Sequence, residues 1–361
     1  MTDSAANRRD FLTGQAVRDA LAPVASTLSG AIPSRGPTVM LRTTAMATDF
    51  DVILNPDGPD AQVAVASAAL DEVHRLESQL TVYRDDSEVS VLNRTAHERP
   101  MTVESNLYGL LQRGRDVHQR TSGAFDHASG ALIALWQQSR REQRVPTPGE
   151  IEAALAVSGV SHLQFQDDRE QLSFDVPGVA LNLGAIGKGY AVDQAGNLLD
   201  QVGVENWLVH GGKSSVLTRG THAGYDGWPV GLRNPLFPDR PYLTLLLKDA
   251  ALSTSGTAVN WFRHAGKRYG HILDPRTGWP VETMLSVSVI APDAALSDAL
   301  STAFFVLGVE KALECCDNFP EVGVILFPLP SDGRTLEPLL HRVPAERVFA
   351  AAESGSQVQT R

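Results

Sequence analysis

The sequence predicts an α+β fold with mixed, mainly antiparallel sheets and helices packed against them. Segments with strand-like alternation and segments with a helical apolar period follow one another without the regular strand–helix–strand order of a doubly wound sheet. The chain has 361 residues, of which 43% are hydrophobic and 20% charged, as expected for a globular protein with a sizeable core. The predicted organisation is an N-terminal arm over 1–37, one main domain over 38–345 and a disordered tail over 346–361.

The first half of the chain carries two strand signals and three helix signals. Thr38–Asn55 is rich in β-branched and aromatic residues and predicts strands around a turn, whereas His162–Val176 alternates like a hairpin that turns near Asp168. Apolar spacing predicts three helices, Asp60–Leu80, Ser105–Gly123 and Glu150–Ser158. In the second of these helices, Ser105 is the predicted N-cap and Gly123 the predicted stop signal. The polar stretch Gln138–Glu150 is predicted to be an exposed connection.

The second half predicts a helix that follows a glycine-rich turn, several strands and a further helix. The helices are Gly187–Val202 and one that starts at Asp298 and reaches Leu307. The predicted strands are Trp207–Val209, Tyr242–Leu247, Leu285–Ile290 and Val322–Phe327.

Charge, hydropathy and cysteine content exclude several classes of protein. The net charge of −11 argues against a general nucleic-acid binder, because phosphate binding requires a basic face. No uncharged apolar run is long enough to predict a transmembrane helix. The only cysteines, Cys315 and Cys316, are adjacent, which indicates neither a disulfide framework nor metal-ligand spacing.

The N-terminal segment has a feature of export signals. Asn7–Gly14, NRRDFLTG, resembles a twin-arginine motif, but Arg18 and Asp19 stand where an apolar run would have to follow. The sequence therefore favours an uncleaved arm on a cytoplasmic protein, with periplasmic export as the alternative.

Ala251–Leu307 carries most of the residues with a chemical use. His271 is the side chain best suited to proton transfer near neutral pH. Asp298 and Thr302 are four residues apart in a predicted helix, so their oxygens project from one face. A carboxylate and a hydroxyl in this arrangement suit a hard cation such as Mg²⁺, which often also holds a phosphate.

The segment Leu181–Asp193, LNLGAIGKGYAVD, places a glycine-rich turn before a helix. Its glycines allow backbone N–H groups to approach a phosphate, and Lys188 adds a cation at the helix N-terminus. The segment matches neither the Rossmann fingerprint nor the P-loop, so a purely structural turn remains an equal interpretation.

Three other motifs are weaker when taken alone. In SGAFD the carboxylate of Asp126 follows a flexible glycine, and Phe125 either packs on a flat ligand ring or joins the core. In YRDDSEV, Tyr83 precedes a polar cap at Ser87, which is also typical of a surface turn. The Gly-Gly turn of VHGGKSSV suits either a backbone cradle or an ordinary hairpin.

The order of these motifs resembles that of the ApbE family of FAD:protein FMN transferases, also called flavin transferases. The resemblance runs from about Thr38 to Gly323. Its landmarks are MAT (Met46–Thr48), YRDDSEVSVLN, SGAFD, LNLGAIGKGYAVD, the Gly-Gly turn, STSG, HILDPRTG and DALSTAFFVLG. Each landmark is weak, but their shared order is specific.

The resemblance implies two intertwined lobes with FAD, as substrate, in the cleft between them. It implies Mg²⁺-dependent transfer of FMN to a Ser or Thr hydroxyl of an acceptor protein with a D-x-x-S/T-G-A-S/T-like segment, with release of AMP. His271 would be the base that activates this hydroxyl. The FAD-binding residues would be Met46, Tyr83, Ala124, Phe125, Asp126, Asn182, Lys188 and Ile272. The Mg²⁺-binding residues would be Ala185 (through its carbonyl), Asp298, Ser301 and Thr302.

Two departures from the family pattern leave alternatives open. Asn182 stands where the family usually has Asp, and Lys213 follows the Gly-Gly turn where Asp or Asn is common. The first alternative is an FAD pyrophosphatase, in which water replaces the acceptor hydroxyl. The second is a non-catalytic FAD-binding protein, against which the presence of His271, Asp298 and Thr302 argues.

Overall fold

The structure is a computed structural model and describes residues 33, 36–212, 214–237, 239–257, 261–330 and 336–350. Asn7–Gly14 and Lys213, on which two of the predictions depend, lie outside the described residues. Within those residues, no helix combines the length and the hydrophobicity that crossing a membrane requires. The location of the protein stays a prediction.

The fold is α+β, as the sequence predicts. The strands are β1 (Val39–Ala45), β2 (Thr48–Leu54), β3 (Met101–Thr102), β4 (Leu163–Gln166), β5 (Gln171–Phe174), β6 (Trp207–Gly211), β7 (Ser215–Arg219), β8 (Trp228–Arg233), β9 (Pro241–Leu247), β10 (Ala251–Gly256), β11 (Phe262–His264), β12 (Lys267–Tyr269), β13 (Met284–Ala291), β14 (Gly323–Pro328), β15 (Leu339–His341) and β16 (Val348–Ala350). The helices are α1 (Gln62–Leu80), α2 (Glu88–Thr95), α3 (Ser105–Arg120), α4 (Gly130–Arg141), α5 (Pro148–Leu155), α6 (Gly187–Gln201) and α7 (Ala294–Cys315).

The main layer is an eight-stranded sheet in the order β1-β2-β6-β7-β10-β13-β14-β15. All of its described ladders are antiparallel. Alternate side chains therefore face opposite sides of the sheet. On β2, Phe50 and Val52 point into the larger core, while the next residue, Ile53, contacts a second core on the other face.

Helices cover one face of this sheet and a smaller sheet covers the other. α1, α6 and α7 pack together over the first face and bury the larger core. The three-stranded sheet β16-β9-β8 covers the other face and buries residues such as Trp228 and Leu245. The sequence predicts that the main domain ends at residue 345. The folded structure continues beyond this boundary, because Val348 is buried and β16 pairs with β9.

A second lobe is inserted between α1 and α6. It contains α2 to α5 and the three-stranded sheet β3-β5-β4, so the hairpin predicted over His162–Val176 is confirmed. The chain returns to this lobe later: Phe262 on β11 packs with Leu132, Trp136 and Ile151 of α4 and α5. The lobes are therefore intertwined, as expected, and the polar motifs of both lie where they meet.

Three local predictions need correction. Ser105 is the first helical residue rather than the N-cap, because the Glu104 carboxylate accepts the Leu107 N–H at 3.1 Å. The predicted connection Gln138–Glu150 is mostly helical, since α4 runs to Arg141 and α5 starts at Pro148. α7 begins at Ala294, four residues before the predicted start, because the Asp293 side chain caps it by accepting the Leu296 N–H at 2.9 Å.

The close approach of α6 to α7 positions the candidate site. A Cβ atom at Gly189 would lie 2.1 Å from the Ala294 carbonyl oxygen, so only glycine allows this contact. Asp193, one turn further along α6, accepts the Ala294 and Ala295 N–H groups at 2.7 and 2.8 Å. Burial, and next the nearby Asp293 carboxylate, raise the pKa of Asp193 to about 7.

We expect Gly189→Ala to lower the free energy of unfolding by roughly 1–3 kcal/mol, the usual cost of overpacking a tight contact. The exposed Gly109 on α3 is a matched control, because a Cβ there would meet nothing within 4 Å. Gly109→Ala should stabilise the protein by about 0.5–1 kcal/mol, since alanine favours the helix. Urea denaturation of the two variants measures both effects, and equal changes would contradict the close packing at Gly189.

Candidate functional site

The glycine-rich turn before α6 is held in place by two side chains. Asn93 of α2 exchanges two hydrogen bonds with the backbone of Leu181, at 2.7 and 3.0 Å. Asn182 accepts the Gly184 N–H at 3.0 Å through its side-chain oxygen. Asn182 therefore preserves the turn without the charge of an aspartate, and Asn93 ties the turn to the second lobe.

The first turn of α6 leaves one carbonyl oxygen available to a ligand. The Gly189 N–H belongs to the first turn of α6, whose N–H groups have no acceptor within the helix. It donates to Asp298 Oδ2 on α7, at 3.1 Å. The Ala185 carbonyl lies before the first residue of α6, so the helical ladder does not use it and it suits an oxygen ligand of a cation.

Asp298 and Lys188 form the charged centre of the site. Lys188 Nζ lies 3.2 Å from Asp298 Oδ2, and the Asp298 residue is only 4% exposed. The same Nζ approaches the Gly184 carbonyl oxygen at 3.5 Å. The structure thus brings together the predicted phosphate-binding lysine, the glycine turn and the predicted metal-binding carboxylate.

Hydroxyl groups of α7 and β10 form a hydrogen-bonded chain next to Asp298. Ser301 Oγ donates to the Asp298 carbonyl at 2.9 Å, so its single proton is used. Ser255 Oγ, 2.8 Å from Ser301 Oγ, must then be the donor in that pair. Thr302 Oγ1 donates in turn, with Ser255 Oγ at 3.2 Å and the Asp298 carbonyl oxygen at 3.4 Å as its acceptors. The lone pairs of Thr302 are therefore left free for a cation.

His271 lies between β12 and the turn that follows it, with a solvent-accessible side chain. The surrounding protein lowers the pKa of His271, first by desolvation and then through the charges of Lys188 and Arg140. The contribution of Lys188 places the imidazole within electrostatic range of the charged centre. With its pKa below the ordinary value of about 6.5, the ring is neutral at pH 7 and can accept a proton.

The DPRTG turn after His271 is rigidly held. Asp274 binds the Arg276 guanidinium through two contacts of 2.8 Å, and its carbonyl accepts the Gly278 N–H at 2.8 Å. Trp136 donates to the Gly278 carbonyl at 2.8 Å. Asp274 and Arg276 therefore position the turn that directly follows the His271 segment.

Most side chains of the SGAFD loop are engaged within the protein. Ala124 and Phe125 are buried, so the Phe125 ring belongs to the core. The Asp126 carboxylate accepts the Ala128 and Val160 N–H groups at 2.8 and 3.1 Å. The ion pair of Asp126 with His118 raises the pKa of that histidine. The predicted contacts of this loop with FAD stay a prediction.

A cavity of about 490 Å³ opens between the SGAFD loop and the DPRTG turn. Charged and polar side chains form part of its wall, to which the second lobe and the DPRTG turn both contribute. The lining residues are His118, Gln119, Ser122, Gly123, Asp126, Ser158, Gly159, Pro275 and Arg276. The cleft expected between the lobes is therefore present beside the predicted FAD-binding loop.

The other predicted FAD-binding residues lie at separate places around the site. Met46 has a left-handed backbone, with φ of 50°, and its N–H donates to the Glu77 carboxylate at 2.5 Å. Tyr83 is 77% exposed, so its ring is free to stack on a flat ligand. Ile272 is buried directly after His271. The FAD contacts of all three stay predictions.

Sequence reasoning missed Ser255 and Asn93 as site residues. The STSG motif marks Ser255, but its role depends on β10 lying beside α7, a contact that local sequence does not reveal. Asn93 ends YRDDSEVSVLN, and its partner is 88 residues away. Both residues act on other protein groups, which residue type alone does not indicate.

Comparison with known proteins assigns the chain to a family. The sequence profile of the ApbE family matches residues 46–326, most of the chain. The chain belongs to the ApbE family. It is 35% identical over 287 residues to an FAD:protein FMN transferase of Treponema pallidum, covering 73% of this chain and 78% of that protein. It is 33% identical over 298 residues to one of Klebsiella pneumoniae, covering 82% and 90%.

Solved structures of ApbE proteins share the fold. The ApbE protein of Thermotoga maritima superposes with a TM-score of 0.75 at 30% identity, covering 83% of this chain and 96% of that one. The flavin transferase ApbE of Vibrio cholerae gives a TM-score of 0.75 at 27% identity, covering 85% and 97%. The predicted family, fold class and enzyme class are confirmed: the chain is an ApbE-family transferase.

Proposed function

We propose that this protein transfers FMN from FAD to a Ser or Thr hydroxyl of an acceptor protein and releases AMP, with Mg²⁺ as the required metal ion. The observation that carries the proposal is the meeting of Lys188, the glycine turn and Asp298, with His271 within electrostatic range of Lys188. The names of the relatives support FAD as substrate and a protein as acceptor.

The residues at this centre fit a magnesium ion. Asp298 offers a carboxylate, Ala185 a carbonyl that precedes the helix, and Thr302 a hydroxyl with free lone pairs. The described residues contain no group of three or more His, Cys, Asp or Glu side chains suited to a metal. A site with one carboxylate and neutral oxygens is typical of Mg²⁺ that also binds substrate phosphates.

The proposed reaction is a substitution at the phosphorus of the FMN half of FAD. The acceptor oxygen forms a bond to this phosphorus, the pyrophosphate P–O bond breaks, and AMP leaves with the bonding electrons. His271 takes the proton of the acceptor hydroxyl, and Lys188 offsets charge on the phosphates. When bound, Mg²⁺ supplies further neutralisation of phosphate charge.

Hydrolysis of FAD is the second candidate function, since the accessible His271 could equally activate water. Incubation with FAD, Mg²⁺ and a synthetic D-x-x-S-G-A-T peptide, followed by mass spectrometry, distinguishes the possibilities. Transfer gives an FMN-bearing peptide and AMP, whereas hydrolysis gives free FMN and AMP. Absence of both products would contradict the proposed function and favour FAD binding without catalysis.

Ser255→Ala should weaken Mg²⁺ binding by roughly 10–100-fold, the usual cost of losing a group that orients a metal ligand. The variant removes the nearer of the two acceptors of the Thr302 proton, Ser255 Oγ at 3.2 Å, and leaves only the Asp298 carbonyl oxygen at 3.4 Å to turn that proton away from the metal. Thr254→Val is the matched control, because Thr254 bonds to Ser288 at 2.8 Å on the opposite face of β10. Titration calorimetry with Mg²⁺ measures both, and equal affinities would show that Ser255 does not orient Thr302.

A further inference from the structure

The hairpin formed by β11 and β12 has two different faces. Phe262 and Tyr269 are paired across the strands, their rings stack with centroids 5.4 Å apart, and both pack in the cluster around Trp136. Arg263 and Arg268 are the next pair, so they lie directly opposite each other on the other, exposed face. One face therefore anchors the hairpin to the second lobe, and the other offers positive charge to the surroundings.

The fold does not neutralise this positive charge. Like charges directly opposite on paired strands are destabilising. Partial burial, and next the charge of Arg263, lower the pKa of Arg268. Arg268 donates to the Thr257 carbonyl, but no carboxylate among the described residues forms an ion pair with either arginine. The pair occurs in a protein with a net charge of −11, which has many carboxylates available for such a role.

An exposed tryptophan completes this face of the hairpin. Trp261 is 38% exposed, and the guanidinium carbons of Arg268 and Arg263 lie 4.6 and 5.7 Å from its ring centroid. Tryptophan and arginine are the residues most enriched at the energetic centres of protein interfaces. A guanidinium group also matches the geometry of a carboxylate through paired hydrogen bonds.

The position of the hairpin connects it to the reaction. β12 ends at Tyr269, two residues before His271, and the turn after His271 is itself anchored to Trp136. A protein segment bound along Trp261, Arg263 and Arg268 would thus lie next to the proposed base. An acidic segment fits this face because it offsets the charge of the arginine pair.

We propose that Trp261, Arg263 and Arg268, here called the arginine–tryptophan face, bind an acidic, extended segment of the acceptor protein next to the hydroxyl that is modified. This inference rests on the proposed function, since it names how that function selects its protein substrate. Binding of the FAD phosphates is the competing role for the same charges, and the experiment separates the two.

The test measures binding and transfer with fluorescein-labelled D-x-x-S-G-A-T peptide, using full-length protein with FAD and Mg²⁺. Arg263→Glu and Arg268→Glu should each raise the Kd for the peptide, by anisotropy, roughly fivefold or more. Arg240→Glu is the matched control, because that exposed arginine also lies over an aromatic ring, at 5.5 Å from the Phe237 centroid. Its Kd should equal that of the unmodified protein.

A peptide with Lys in place of Asp should bind the unmodified protein more weakly and regain affinity with Arg268→Glu. The KM for FAD and the release of FMN and AMP without peptide should not change in these variants. A raised KM for FAD with unchanged peptide binding would overturn the inference and assign the arginines to FAD. Unchanged peptide binding in both variants would also overturn it. Because binding is measured apart from turnover, failure of transfer in the unmodified protein would contradict the proposed function alone.

Discussion

Asp298→Ala is expected to abolish Mg²⁺-dependent turnover. The substitution removes the one charged oxygen ligand and leaves a carbonyl and a hydroxyl to hold a strongly hydrated cation. It also leaves the Lys188 ammonium, 3.2 Å from the lost carboxylate, without its partner. The loss of several kcal/mol of transition-state stabilisation corresponds to roughly 10³-fold in rate. Steady-state release of AMP from FAD at varied Mg²⁺ concentrations measures this effect.

Asp298→Asn separates loss of charge from loss of structure. The amide oxygen can still accept the Gly189 N–H, so α6 and α7 should stay in contact while the metal affinity falls. Asp293→Ala is a control on the same helix: it removes the cap of α7 but no proposed metal ligand. It should lower stability by about 1 kcal/mol and keep Mg²⁺-dependent activity. Near-normal Mg²⁺-dependent rates in Asp298→Ala would show that the metal site is misplaced.

The sequence predicts the elements whose signals are local. α1 and α6 carry a clear apolar period, and β1 and β2 carry β-branched residues around a turn, so their positions are close to those predicted. The helix α4 is missed because SGALIALW begins with Ser-Gly and resembles part of a binding loop. The start of α7 is missed because Asp193, distant in sequence, binds its first N–H groups. Contacts of this kind arise only in the folded chain.

The candidate site likewise combines features that local sequence predicts with features that depend on distant contacts. Asp298, Ser301 and Thr302 share one helix, and their proximity follows from spacing alone. Their meeting with Lys188 depends on the packing of α6 against α7 through Gly189, which the family resemblance implies and local patterns do not. The roles of buried residues are the hardest to predict from sequence. The SGAFD motif allows Phe125 either to pack on a ligand ring or to join the core, and its burial assigns it to the core.

The site combines rigid parts from both lobes with an accessible base. Asn93 fixes the glycine turn, and Trp136 fixes the turn that follows His271. Both anchoring side chains belong to the second lobe, while Asp298 and Ser255 belong to the first. A shift of one lobe against the other would therefore move the glycine turn and the turn after His271 relative to Asp298. This arrangement explains how residues far apart in sequence meet at one place.

His271→Ala is expected to lower the rate of FMN transfer by roughly 10²–10⁴-fold, the usual contribution of a general base. FAD should remain bound, because His271 is not among the residues predicted to hold it. Flavin fluorescence measures FAD binding, and mass spectrometry of the acceptor peptide measures transfer. His162→Ala is a suitable control. That histidine forms an ion pair with Asp175 at the end of the β4–β5 hairpin in the second lobe, and it has no contact with Lys188 or Asp298 among the described residues.

The pH dependence gives a second, independent test of His271. A general base acts in its neutral form, and desolvation followed by the charges of Lys188 and Arg140 lowers the pKa of His271. The transfer rate should therefore rise with pH through a value below about 6.5 and level off before neutral pH. His271→Ala should lose this limb and retain a low, flat rate over the same range. If the variant keeps the acidic limb of the unmodified protein, another group titrates there and His271 is not the base.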